Sequence, residues 1–352
     1  SYKEYKKDRK KERKKIKKYI IVIHIHSFIM QNRLLSICIC FIFFPSQRAM
    51  TMNLPDTGPY ETKHSIFVID TMDKTNKNVD FYYPLISLDT KNNRKFPLII
   101  YNHGYLGGGN YDYEAYTPLL TKLATYGFIV AFMRSCNAGC ADNCKSLHLD
   151  PPCFGNFYLE QFKVIDWTSK YGKDDEAKKT SSNIINGTTV YKKINHTLGY
   201  GIAGHSMGGQ AALFGSSFLN ATNYNIKTVV LHHPYSHELP TPQISFIGFT
   251  GTYDFLASPK MVKTIYDNGD NEKHRGFVNK KGSTHIEPLC FTKNCPKSII
   301  VARYTAAWFK LYLENINVET VYDYHNLIYG DRNATESLCG GGDGKMKTCL
   351  VL

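Results

Sequence analysis

No internal repeat, collagen triplet or low-complexity tract occurs in these 352 residues, which excludes solenoid, fibrous and linker-like chains. Apolar runs are interrupted well short of the ~20 residues a membrane-spanning helix needs. There is no C-x-x-C pair of the kind that opens zinc knuckles and redox motifs. Gly107-Gly108-Gly109 lacks the Lys-Ser/Thr of a phosphate-binding loop and the spacing of a dinucleotide fingerprint, so it reads as flexibility in a loop. Acidic residues are the scarcer sign, 30 against 43 Lys and Arg, for a net charge of +13. Hydrophobic residues make up 43%, enough to bury a core.

The excess positive charge is local. Residues 1–29 hold eleven Lys/Arg against three acids, a net of +8, with no glycine and no regular aromatic interleaving among them, so a nucleic-acid partner is not expected. Met30 opens a different text: a basic Arg33, the 11-residue apolar run Leu34–Phe44, then Pro45 to Ala49. That is the outline of a signal peptide over residues 30–49. Residues 1–29 then read as translated upstream sequence foreign to the protein. If they belong to it, residues 19–44 form a signal anchor behind a cytosolic basic cluster, the only arrangement expected to bring in a membrane. Either way the remainder faces an oxidising lumen: secreted, or membrane-anchored in type II orientation. Beyond Ala49 thirty cations face twenty-seven acids.

Two features agree with that compartment. Sequons stand at Asn186, Asn195, Asn220 and Asn333. Outside the signal segment eight cysteines remain, an even number that fits four disulfides. Cys290 with Cys295 and Cys339 with Cys349 are the local pairings expected. Cys136, Cys140, Cys144 and Cys153 allow three connectivities among themselves, and their spacing argues against zinc.

From about residue 60 short β-branched or aromatic runs alternate with helical segments, the pattern of an α/β domain with a mostly parallel sheet and helices on both faces. Strands are expected at 65–70, 79–86, 96–101, 128–133, 199–203, 228–232, 244–250 and 276–279. Helices are expected from an N-cap at Thr117, over Leu159–Trp167, from the serine below, and over Ile299–Leu313. Residues 50–352 then form one domain with a cysteine-rich insertion (134–157), a polar insertion (170–198) and a C-terminal tail (315–352).

The strongest local signal is Gly204-His205-Ser206-Met207-Gly208, between a strand and a small-residue helix start. A serine at such a bend needs neighbours without Cβ so that strand and helix approach. Its hydroxyl needs a histidine to take its proton and a carboxylate to orient that histidine. After the next strands come Asp254 and His285, in the order acid then base. Asp267 and Asp270 read as a helix end or turn, and His274 as a solvated residue. His232, His233 and His237 read as rim histidines rather than a metal site. The negative oxygen that forms on attack calls for two amides. Met207 supplies one, and Tyr105, after His103-Gly104 at the end of an earlier strand, the other. No metal or organic cofactor is implied.

Those residues resemble the α/β-hydrolase superfamily, and within it look most like secreted cutinases and polyester hydrolases, with dienelactone hydrolases, platelet-activating-factor acetylhydrolases and chlorophyllases as neighbours. The likeness runs from Phe96 to Leu313. It is carried by His103-Gly104-Tyr105, Leu123–Val130, Gly204–Gly209, Gly251–Asp254, Gly282–His285 and Tyr304–Leu313. It implies Ser206 as nucleophile, His285 as general base, Asp254 as its orienting acid and Tyr105 with Met207 as oxyanion amides. Family members often carry a tryptophan beside the cleft where this chain has Pro234-Tyr235, which implies a substrate contact at Tyr235. The expected activity is hydrolysis of small or medium acyl esters. A lipase or phospholipid acyl hydrolase is the alternative enzyme, and an inactive binding or adhesion ectodomain the alternative outside enzymes.

Overall fold

In a computed structural model the residues described are 57–70, 76–85, 94–105, 113–135, 151–173, 190–236, 242–291, 295–314, 318–330, 337–339 and 346–351. They belong to the unit Met52–Leu352. The upstream segment 1–29, the signal segment 30–49, Gly107–Gly109, His237, Cys136, Cys140, Cys144, the side chain of Cys153, Asn186 and Asn333 lie outside them.

The described strands are β1 (Thr62–Asp70), β2 (Asn76–Pro84), β3 (Leu98–Asn102), β4 (Ile129–Met133), β5 (Tyr200–His205), β6 (Ile226–His232), β7 (Ser245–Gly251), β8 (Arg275–Lys280) and β9 (Met346–Val351). They form one sheet in the order β1-β2-β4-β3-β5-β6-β7-β8-β9. Pairing is parallel from β4 through β8, and antiparallel where β1 and β2 close one end and β9 the other.

The parallel strands are continuous apolar runs because both faces are covered. Side chains alternate between two cores. Leu98 and Ile100 of β3 face the core that takes Phe162, Val164 and Ile165 of α2 (Pro151–Lys173), Leu213 of α3 (Met207–Gly215), Ala221 of α4 (Phe218–Asn223) and Val262 of α5 (Pro259–Asn268). Ile99 and Tyr101 face the other, built on α1 (Thr117–Thr125), α6 (Pro296–Leu313) and α7 (Val318–Tyr329). Trp308 of α6 is wholly buried there, its indole N–H donating to Thr228 Oγ1 at 2.8 Å. Helices on both faces of a mostly parallel sheet are thus as expected. Among the described residues no helix is long and apolar enough to cross a membrane.

Three expectations need correction. The tail beyond Glu314 is part of the fold: α7 packs on α6, and β9 pairs residue by residue with β8. The cysteine-rich insertion ends at its helix, since α2 begins at Pro151, and the same helix runs through Lys173, into the polar insertion. Thr117 is the first helical residue and makes no cap bond; Tyr116 holds the cap position, and the Thr117 hydroxyl pairs with Tyr82 OH at 3.0 Å. Besides these, Asn195 and Asn220 of the expected sequons are partly exposed, and Asn220 sits on α4, a helix the sequence left unassigned.

Cys290 is bonded to Cys295 and Cys339 to Cys349, the two local pairs expected. Each closes a short loop, so reduction is expected to lower unfolding free energy by about 2 kcal/mol for the first and about 3 for the second. Superimposed thermal melts with and without reductant would contradict this.

Candidate active site

Strand β3 has β4 on one side and β5 on the other, so the winding of the chain reverses between β3 and β5. At such a reversal the loops leaving the two strands part at their carboxyl ends and open a crevice. Ser206 stands there. It follows β5 and starts α3 with φ 57° and ψ −120°, a left-handed bend that an L side chain rarely adopts. Glycine allows the bend to sit so tightly: a Cβ at Gly208 would come within 2.2 Å of the Asn102 carbonyl oxygen and 2.4 Å of that of His103. The loop after β3 passes as closely, because a Cβ at Gly104 would stand 3.2 Å from Ser206 Cβ.

The carboxyl ends of β7 and β8 supply the partners. His285 Nε2 lies 2.8 Å from Ser206 Oγ, and His285 Nδ1 lies 3.0 Å from Asp254 Oδ2. Asp254 is buried, and its other oxygen accepts the backbone N–H groups of Leu256 at 3.0 Å and Ala257 at 2.7 Å. The three residues expected to act together are therefore in contact in the expected order. Tyr235 joins them through its backbone, its N–H donating to the Ser206 carbonyl at 2.9 Å. Met207 is buried at the first turn of α3, and Tyr105 is exposed beside Gly104.

Sequence reasoning missed two sets of residues. One joins the loops that carry the site. Tyr116 OH accepts the Gly104 N–H at 2.9 Å and donates to His205 Nδ1 at 2.7 Å, while His205 Nε2–H donates to the His285 carbonyl at 2.7 Å. The other lies behind Asp254. His232 and His233 are buried rather than on a rim: His232 bonds Tyr101 OH at 3.0 Å and Thr305 Oγ1 at 2.8 Å, and His233 Nδ1 donates to Asp254 Oδ2 at 2.8 Å. Glu287 comes next, accepting from Lys280 Nζ at 3.0 Å and Ser283 Oγ at 2.5 Å. The signal in the sequence was Glu287 only two residues after His285, inside a segment otherwise poor in charge.

His233, Asp254 and His285 bring three possible ligand atoms within 4.8 Å of one another. The Nδ1 atoms of both histidines are engaged in hydrogen bonds to Asp254 Oδ2, so a cation held through them would have to displace both protons.

Burial and neighbours set the charges. Burial acts to raise the pKa of Asp254, but hydrogen bonds from His233 and His285 outweigh it and hold the carboxyl well below its usual range. Burial acts upward on Glu287 too, yet His233, Lys280 and Ser283 bring it down to about 2. Burial opposes the imidazolium of His233, and its hydrogen bond to Asp254 and the nearby Glu287 carboxylate raise its pKa nonetheless. Burial lowers His103 to about 4 and His232 to about 3, and burial with the neighbouring His285 takes His205 well below its ordinary value.

A histidine whose folded pKa is depressed contributes stability that is complete above its unfolded pKa and lost as the pH falls. His103 and His232 should therefore each withdraw about 2 kcal/mol of stability by pH 5 relative to pH 7, and His205 acts in the same direction. Glu287 and Asp254 add to the loss only below about pH 4.5. Urea midpoints falling steeply from pH 7 to pH 5 are the expected outcome, and a flat profile would contradict it.

No known protein-family model and no curated protein sequence matches the chain.

Proposed function

We propose that the chain is a secreted serine hydrolase of the α/β-hydrolase superfamily that cleaves carboxylic esters through an acyl-enzyme. The observation that carries this reading is the unbroken line from Ser206 Oγ to His285 at 2.8 Å and from His285 to Asp254 at 3.0 Å. The bend at Ser206 between strand and helix, and the chain order serine, aspartate, histidine, support the superfamily.

Ser206 Oγ attacks the ester carbonyl carbon as its proton passes to His285 Nε2. Asp254 keeps the other ring nitrogen protonated and pointed, and stabilises the imidazolium that forms. Met207 N–H, the first amide of a helix and so without an intrahelical acceptor, meets the developing oxyanion together with Tyr105 N–H. Collapse expels the alcohol, which takes the proton from His285. Water then repeats the sequence on the acyl-serine and releases the acid. Tyr235, tied to Ser206 through its backbone, contacts the substrate.

Secretion is supported by the disulfides and by the sequons at Asn195 and Asn220, which retain some exposure. One observation favours the lipase alternative. Tyr253, Phe255 and Phe291, next to the loops of Asp254 and His285 in sequence, are exposed by 57%, 82% and 64%. A series of p-nitrophenyl esters from acetate to palmitate separates the two readings by where activity peaks. A fluorophosphonate probe tests both: if the folded protein shows no labelling that depends on Ser206, the chain is a binding module on this fold.

A further inference from the structure

His233 is a buried ionisable side chain in direct contact with Asp254 that ester hydrolysis as written leaves idle. It follows β6 at φ 47°; with Ser206 and Asn225 it completes the non-glycine residues of positive φ among those described. Its ring meets two carboxylates, Asp254 Oδ2 at 2.8 Å from Nδ1 and Glu287 Oε2 at 3.5 Å from Nε2, the second an ion-pair distance. Glu287 is fixed in turn by Lys280 and Ser283. The other ionisable groups facing the ring are imidazoles: His285 and His205, with ring centroids 6.0 and 6.4 Å away, and the adjacent His232. Thus Asp254 Oδ2 accepts from two histidines at once, and only one of them reaches the serine.

We propose that His233 is a positioning residue for the hydrolytic reaction, an imidazolium anchored by Glu287 that shares Asp254 Oδ2 with His285 and sets how readily His285 takes the serine proton. A lone buried carboxylate would favour the charged form of the base. A cation on the same oxygen cancels part of that field and weakens the hold of Asp254 on the Nδ1 proton of His285. The proton path itself is unchanged. The inference rests on the serine-hydrolase reading above, and it adds a determinant of the pH range in which the site works.

Two measurements on the full chain test it. In ¹⁵N-histidine NMR spectra the resonances missing from His233→Asn identify His233. They are expected at imidazolium shifts at about pH 7, and Glu287→Gln should lower their titration midpoint by about one pH unit or more. Neutral shifts at that pH, or a midpoint indifferent to Glu287→Gln, overturn the proposal without any appeal to catalysis. The second measurement is the rate of fluorophosphonate labelling of Ser206 against pH. Asparagine keeps an N–H donor toward Asp254 but no charge, so a purely structural role predicts an unaltered profile in His233→Asn. The proposal predicts an acid limb raised by about one pH unit. An unmoved limb in a folded variant overturns the proposal alone. Absence of Ser206-dependent labelling in the parent protein overturns the hydrolase reading and this inference with it. Should the asparagine variant not fold, the His233 ring is assigned instead by through-bond spectra of the parent protein, and the Glu287→Gln midpoint decides.

Discussion

Ser206→Ala is expected to abolish fluorophosphonate labelling and to lower ester turnover by at least about 10³-fold, with a melting temperature close to that of the parent. The two halves of this expectation have separate causes. Nucleophile, base and acid act as a unit, so removing the attacking oxygen removes almost all that the other two contribute. Ser206 Oγ, by contrast, bonds His285 without filling any part of the two cores. What remains in the variant should be the modest acceleration of an oxyanion site without a nucleophile. A loss of only a few-fold would place the nucleophile elsewhere.

Gly208→Ala should lose labelling by another route: Ser206 is intact, yet folding is weakened by about 3 kcal/mol. The added methyl would need space that the Asn102 and His103 carbonyl oxygens already fill at 2.2 and 2.4 Å. Both are backbone atoms at the end of β3, so relief requires α3 to move away from the sheet. Such a movement shifts Ser206 relative to His285, since Ser206 is the residue on which α3 begins. Urea unfolding of the variant and the parent measures the weakened folding, and probe labelling the displaced serine. Equal stability would mean that the approach of helix to strand is looser than described.

The sheet and the serine were legible in the sequence for a common reason. All eight strands read from apolar or β-branched runs are present, because a strand covered on both faces needs a run of apolar side chains. The bend at Ser206 was legible because steric crowding leaves glycine little alternative on either side. Strand β9 was not, since Met346-Lys347-Thr348 follows a glycine-rich stretch and becomes a strand through its pairing with β8. His233 was misread for a related reason. His-His-Pro-Tyr after a strand looks like an exposed loop, and only the return of β7 and β8 brings Asp254 and Glu287, 21 and 54 residues further on, to surround the ring. Residue types reported the chemistry, whereas partners far along the chain decided burial.

The placement of β9 has a practical meaning. The stretch bearing the motifs around Ser206, Asp254 and His285 closes with the helix that ends at Leu313, which invites a shortened version of the protein ending there. Such a version would strip the outer rim of β8 and leave its amide and carbonyl groups unsatisfied along a flat edge, an invitation to self-association between molecules. Strand β9 thus acts as a selvedge that keeps the weave from fraying, and material lacking it should clump before probe labelling can be judged.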